Sequence, residues 1–239
     1  MLAEIPPSRS ILINTPIDQD LVDEFNERGF IVLRGLLSPG EVAELNVGYD
    51  QAVNGKVDVE DWNDRIKPGH ILQLGGPSMH LGWREHPYQD RFLSIARQLN
   101  GDDIEFSFDQ LIYKPPHNST EVLWHQDAGY GWLGEANTRG ITCWMALTDV
   151  IPEQGSMQFV PGSHQHGIFE HHSASDRNPI GNALEVDVEM SQAEAISYKA
   201  GDCSFHHGRT LHYTGQNQTD QPRKSISTHF FPRSATGIR

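Results

Sequence analysis

Residues 208–231 read GRTLHYTGQNQTDQPRKSISTHFF, and the reading of this stretch decides the fold. Two short alternating runs, LHYTGQN (211–217) and RKSISTHFF (223–231), lie around the turn-forming string QNQTDQP. Side chains that alternate with period two, bounded by Gly, Pro and Asn, mark half-buried strands. Read locally, the two runs form an antiparallel hairpin, with His212 on its first strand and Arg223 at the start of its second. The same texture extends upstream: IEFSFDQLIY from residue 104, EVLWHQD from 121, GITCWMALTDV from 140, SMQFVPG from 156 and EAISYKAGDCSFHH from 194. Strands this short and this numerous imply a β sandwich or barrel.

The chain before residue 104 reads differently. TPIDQDLVDEFNERGF (15–30) carries Ile17, Leu21, Val22 and Phe25 on one helical stripe and ends at Gly29, a C-cap residue. FIVLRGLL follows as a β-branched run, and SPGEVAEL opens a second helix with Ser38 as N-cap, Pro39 at the first position and Glu41 closing a capping box. A further helix covers YQDRFLSIARQL and stops before Gly101. No repeat, low-complexity tract or linker divides the 239 residues, so the expectation is a single domain over 1–239, mainly β with flanking helices.

Composition narrows the function classes. An apolar fraction of 37% marks a globular chain, and a net charge of −14 repels nucleic acid and anionic lipid. The expected partner is a small molecule, with no nucleic acid and no membrane; the oligomeric state is left open. MLAEIPPSRS lacks the basic flank and apolar core of a secretion signal, and no run reaches a membrane span, so the expected location is cytoplasmic. Cys143 and Cys203 make neither a disulfide framework nor a thiolate metal site, and sequons at Asn118 and Asn217 carry no weight without a signal.

His125 and Asp127 sit two apart in EVLWHQDAGYGW (121–132), and in an extended segment residues two apart share a face. On their own they are more readily read as satisfied polar groups. His212, 85 residues past Asp127, supplies a third ligand if its strand lies beside that of His125. Two imidazoles and one carboxylate form the facial triad of non-haem iron(II), which leaves positions open for chemistry, whereas zinc is more often closed in a tetrahedron. Arg223, 11 residues beyond His212, presents a planar fork suited to a carboxylate. A keto acid on the metal can supply the electrons that oxygen activation needs, and such an Arg fits the far carboxylate of 2-oxoglutarate.

WHQD, then GITCWMALTDVIPEQGSMQFVPGSH, then GRTLHYTGQNQTDQPRKSIS resembles the phytanoyl-CoA dioxygenase family of iron(II)- and 2-oxoglutarate-dependent oxygenases, and FNERGFIVLRGLLSPGEVAEL resembles its N-terminal helix, strand and helix. The likeness runs from about residue 20 to 232, with 165–195 unmatched. It implies a double-stranded β-helix, a cupin-like jelly roll. It implies catalytic metal ligands at His125, Asp127 and His212, and 2-oxoglutarate contacts at Arg223, Thr214, Gln110, Lys114 and Trp144. The implied cofactors are Fe(II), 2-oxoglutarate as co-substrate and O2. The implied reaction is hydroxylation of an unactivated C–H bond of a small polar or natural-product substrate, with release of succinate and CO2; a carboxylate at Asp127 favours hydroxylation over halogenation, while desaturation, epoxidation and ring closure use the same triad.

VPGSH (160–164) reads as a strand-ending turn with a structural His164, and Tyr130, Trp132 and His206 are candidate pocket residues. Residues 165–195, rich in Ser, Asn, Asp, Pro and Gly around HHSASDRNPIGN, are expected to read the substrate and act as a lid. The competing reading is a ligand-binding or zinc- or nickel-bound jelly roll that ignores 2-oxoglutarate. Arg223 discriminates, since such a module has no need of a carboxylate clamp.

Overall fold

A left-handed glycine ends the first helix. In the computed structural model of the chain, which describes residues 16–58, 72–131, 139–174, 183–187 and 191–234, α1 (Gln19–Arg28) stops at Gly29, whose φ is 81° and whose N–H returns to the Phe25 carbonyl. Any Cβ there would also run into His164 and Thr210, so the turn and the packing both require glycine. The chain then enters β1 (Phe30–Leu33) and α2 (Pro39–Val53). The capping box forms as expected: Glu41 N–H donates to Ser38 Oγ at 3.3 Å and Ser38 N–H to Glu41 Oε2 at 2.8 Å. β2 (Leu72–Gly75), α3 (Pro77–His80) and α4 (Pro87–Asn100) precede β3 (Ile104–Lys114).

The remaining strands are β4 (Val122–His125), β5 (Ile141–Ala146), β6 (Met157–Phe159), β7 (His172–Ser173), β8 (Leu184–Glu185), β9 (Glu194–Ala195), β10 (Cys203–His207), β11 (His212–Thr214) and β12 (Arg223–Pro232). They build a six-stranded sheet of order β1-β10-β5-β12-β3-β2 and a four-stranded sheet of order β4-β11-β6-β9, with β7-β8 a separate pair. All pairings are antiparallel. This is the expected jelly roll with helices outside.

Alternation along the strands sorts the two faces of the large sheet. Leu111, Cys143, Met145, Phe205, Ile226 and Phe230 face the helices and meet Phe25, Leu45, Tyr88 and Phe92 there. The opposite face meets the small sheet, where Phe30 stacks on Phe159 at 4.4 Å. Among the described residues no helix is long and apolar enough to cross a membrane.

Two expectations require correction. β11 and β12 are not a hairpin: β11 pairs with β4 and β6 in the small sheet, and β12 pairs with β3 and β5 in the large one. The connection crosses between sheets because Asn217, buried at its centre, donates through Nδ2 to the Pro115 and Gln221 carbonyls at 3.0 and 2.8 Å, while Gln154 holds the Pro222 carbonyl. The second sequon Asn, Asn118, is equally buried and bridges to Asn217, so neither side chain is open to a glycan. Residues 165–195 are also more structured than a loop. β7 pairs with β8, Val186 N–H donates to the Trp124 carbonyl, and β9 joins the small sheet. Within this segment, 175–182 and 188–190 lie outside the described residues, as does Trp132.

Asp109 gives the fold a pH dependence. It is 1% exposed on β3 and accepts from Ser78 N–H and Oγ, both at 3.1 Å; burial outweighs these bonds and pushes its carboxyl up to about 6. The folded group therefore binds its proton more tightly than the unfolded one, so stability is present below the ordinary carboxylate range and falls as pH rises through about 6. Asp109→Asn, which keeps an acceptor and removes the charge, should stabilise the fold by about 1–2 kcal/mol at pH 8 and negligibly at pH 4. Melting curves at the two pH values check this.

Candidate metal and co-substrate site

His125 and His212 face each other because β4 and β11 pair with these two residues in register. Their ring centroids are 4.2 Å apart. The chain leaves β4 through Gln126, still extended at φ −115° and ψ 136°, so Asp127 returns to the face of His125 at the head of a 3-10 turn. Its Oδ1 lies 3.7 Å from His125 Nε2 and 3.6 Å from His212 Nε2. One ligand atom from each of the three residues falls within 4.8 Å of the others.

The imidazoles are preset for a metal. His125 Nδ1 is 2.7 Å from the Leu123 carbonyl and His212 Nδ1 2.9 Å from the Thr210 carbonyl. A carbonyl only accepts, so each Nδ1 carries the proton and each Nε2 offers its lone pair. Burial lowers the pKa of both rings, for His212 with help from the neighbouring His125 and His206, and the neutral form is the one that ligates. Asp127 is pushed up by burial and pulled down further by His212, His206 and His229, so it is held well below the usual carboxylate range.

Beside this trio lies a cavity of about 100 Å³, lined among others by Gln110, Trp144, His206, Thr214 and Arg223 together with His125, Asp127 and His212. A single water molecule needs only ~10–15 Å³ of such space, so the cavity is sized for a small molecule. Arg223 has no exposed surface and makes no ion pair among the described residues. Nη1 donates to Ser225 Oγ at 2.8 Å, whereas among the described residues Nε and Nη2 have no partner, and neither has the buried hydroxyl of Thr214. Burial lowers the guanidinium pKa to about 10. A buried cation with open donors beside an open hydroxyl is the donor set that a carboxylate satisfies. The residues thus fit both groups: three neutral or anionic ligands for a divalent metal, and an anion clamp beside them.

The sequence-expected residues divide. Trp144 lines the cavity, with the Arg223 guanidinium 5.5 Å from its ring. Gln110 lines it and accepts from Gln73 at 2.9 Å. Tyr130 and His206 also line it. Lys114 does not: its ammonium, fully buried, donates to the Thr214 carbonyl at 3.0 Å and to the Gly215 carbonyl, tying β3 to the end of β11. Strand parity puts Lys114 on the right face, but those carbonyls hold the side chain away from the cavity. His164 is structural as expected, its Nε2 3.1 Å from the Asn26 carbonyl. Sequence reading missed Gln73, Phe108, Thr142, Ser227, His229 and Phe231 in the lining. Counting by twos from Arg223 along RKSISTHFF would have found Ser227, His229 and Phe231.

A jelly roll closing on two histidines and one carboxylate, with a buried arginine alongside, defines a class: the non-haem iron oxygenases that take 2-oxoglutarate as co-substrate. Within it, the family model of phytanoyl-CoA dioxygenase (PhyH) matches residues 25–225, and the chain belongs to that family. The chain is 27% identical to the ectoine dioxygenase of Stutzerimonas stutzeri, covering 91% of this chain and 78% of that one. It is 25% identical to the methylphosphonate hydroxylase of Gimesia maris, covering 90% and 80%. It superimposes on EvdO2 from Micromonospora carbonacea var. aurantiaca, crystallised with 2-oxoglutarate, with a TM-score of 0.76, 28% identity and coverage of 92% and 93%. The chain is accordingly a 2-oxoglutarate-dependent non-haem iron dioxygenase.

An arginine buried without an anion costs the free protein stability. Arg223→Met should therefore melt at or above the parent temperature without ligands. Mn(II) with 2-oxoglutarate at about 100 times the dissociation constant should stabilise the parent by ~2.7 kcal/mol and the variant by far less. Thermal-shift titration reads both effects.

Proposed function

We propose that His125 Nε2, Asp127 Oδ1 and His212 Nε2 hold one iron(II), and that Arg223 and Thr214 hold the far carboxylate of 2-oxoglutarate, while the chain hydroxylates a C–H bond of a small polar or natural-product substrate. The observation that carries this reading is the partnerless guanidinium edge of Arg223 in the cavity that the three ligands share. When bound, iron and 2-oxoglutarate supply the oxidising power: O2 gives one oxygen atom to the succinate formed with loss of CO2 and the other to the substrate.

The chain's own residues orient and enclose. Arg223 and Thr214 fix one end of the co-substrate, Trp144 walls it, and the apolar Ile112, Val122 and Met157 of the same lining exclude water. The rest of the lining alternates aromatic walls, Phe108, Tyr130 and Phe231, with neutral polar groups, Gln73, Gln110, Ser227 and His229. Among the described lining residues Arg223 is the only Lys or Arg. With a net charge of −14, this favours a small polar substrate over a polyanionic coenzyme A thioester. Relatives named for ectoine and methylphosphonate are consistent with that size class.

His125→Ala and His212→Ala should each abolish 2-oxoglutarate-dependent succinate formation while the protein still melts cooperatively. Arg223→Ala should raise the Michaelis constant for 2-oxoglutarate tenfold for every ~1.4 kcal/mol of clamp lost, and Arg223→Lys should recover only part, since a point charge cannot match a two-oxygen fork. Normal use of 2-oxoglutarate by the alanine variant would assign the clamp elsewhere.

A further inference from the structure

Asp127 uses its two oxygens differently. Oδ1 faces the two ligand imidazoles, and Oδ2 accepts from Thr142 Oγ1 at 2.6 Å and meets His206 Nε2 at 3.3 Å. Thr142 and His206 are direct partners on β5 and β10; Thr142 also pairs with His229 on β12, and His229 with Phe108 on β3. These side chains form one row across the inner face of the large sheet.

The hydrogens in that row have a single consistent order. An ionised carboxylate only accepts, so Thr142 gives its one hydroxyl proton to Oδ2 and His206 donates from Nε2. The Thr142 oxygen then accepts from His229 Nδ1 at 3.1 Å. That leaves His229 Nε2 as an acceptor for Ser227 Oγ at 3.4 Å, and the ring lies flat on Phe108 with centroids 4.3 Å apart. Each member fixes the next, from the cavity wall to the metal ligand.

We propose that Thr142, backed by His206 and His229, is the positioning residue that makes Asp127 a one-oxygen metal ligand. A carboxylate next to a divalent ion can turn to chelate with both oxygens. Doing so here would strip the buried Thr142 hydroxyl of its charged acceptor and leave it only His229 Nδ1, which accepts once the ring changes tautomer. Held to one oxygen, Asp127 leaves three coordination positions to co-substrate and O2 instead of two. The inference rests on the metal-centre reading above.

Mn(II) titration of the purified protein by calorimetry tests it without turnover. Thr142→Val keeps volume, branching and β propensity, so a packing role alone predicts parental affinity. The positioning role predicts a loss of about 10–100-fold, the usual effect of removing a ligand's hydrogen-bond partner. Thr142→Ser should restore affinity to near the parent, and Thr142→Ala should match the valine variant. His212→Ala is the control for the metal reading itself: if it binds Mn(II) as the parent does, that reading fails. If it loses Mn(II) while valine and alanine at 142 both bind normally, or if serine binds as weakly as valine, the positioning role of Thr142 is overturned.

Discussion

One register decides whether this protein has a metal centre. β11 has three residues and β4 four, and only the pairing of His212 with His125 puts two imidazoles on the same side of the small sheet. A slip by one residue would turn an imidazole to the opposite face. Strands so short cannot fix register by ladder bonds alone, and side chains at their ends do it. Ser163 accepts from Leu211 N–H at 2.9 Å just before His212. Gln126, between the two ligands of the first motif, donates to the Arg209 carbonyl at 2.6 Å and the Gly167 carbonyl at 2.8 Å and accepts from Phe169 N–H. One buried amide thus joins the His125 strand, the turn leading to His212 and the segment that follows VPGSH.

How much of this was legible in the sequence depends on range. The capping box at Ser38 and Glu41 and the glycine stop at Gly29 are local, and both appear as read. His125 and Asp127 were legible because strand periodicity holds through Gln126. Arg223 was found for a partly mistaken reason. Turn-forming residues at 216–222 suggested a hairpin, yet the same composition serves a crossing between sheets. What decides between them is Asn217 reaching the Pro115 carbonyl, about a hundred residues away in sequence, which no local pattern encodes. Arg223 still arrives at the site because it enters the large sheet facing the small one. Lys114 shows the converse limit: parity predicts a face, but a four-carbon stem lets the ammonium seek carbonyls instead of the cavity. Thr142, His206 and His229 were invisible as a group because their proximity exists only once three strands are in register.

The segment 165–195 illustrates why composition alone misleads. Gly, Ser, Pro and Asn made it read as a loop, but His171 and Phe169 have definite tasks. His171 Nε2 accepts from the Gln126 backbone N–H at 3.1 Å, and its Nδ1 is held by the Phe169 carbonyl at 2.8 Å. Its ring fills the space beside Gly129 that any Cβ would need. The described part of the segment is therefore bound to the ligand turn itself, and any change in its position bears directly on Gln126.

The cavity is divided by charge as much as by shape. The buried Arg223 guanidinium, with Thr214 and Trp144, presents a cationic patch, and neutral amides and hydroxyls stand among aromatic walls in the rest of the lining. His125, Asp127 and His212 line the same cavity, and Asp127 is the one carboxylate among its described lining residues. Low dielectric strengthens each of these interactions and penalises a misplaced charge, so the surroundings of Arg223 are chemically constrained once it is buried. The neutral lining carries no such constraint: exchanging a Gln, Ser or aromatic there alters shape and hydrogen bonding without stranding a charge. Physical tolerance for change thus lies in the neutral lining, away from the buried charge.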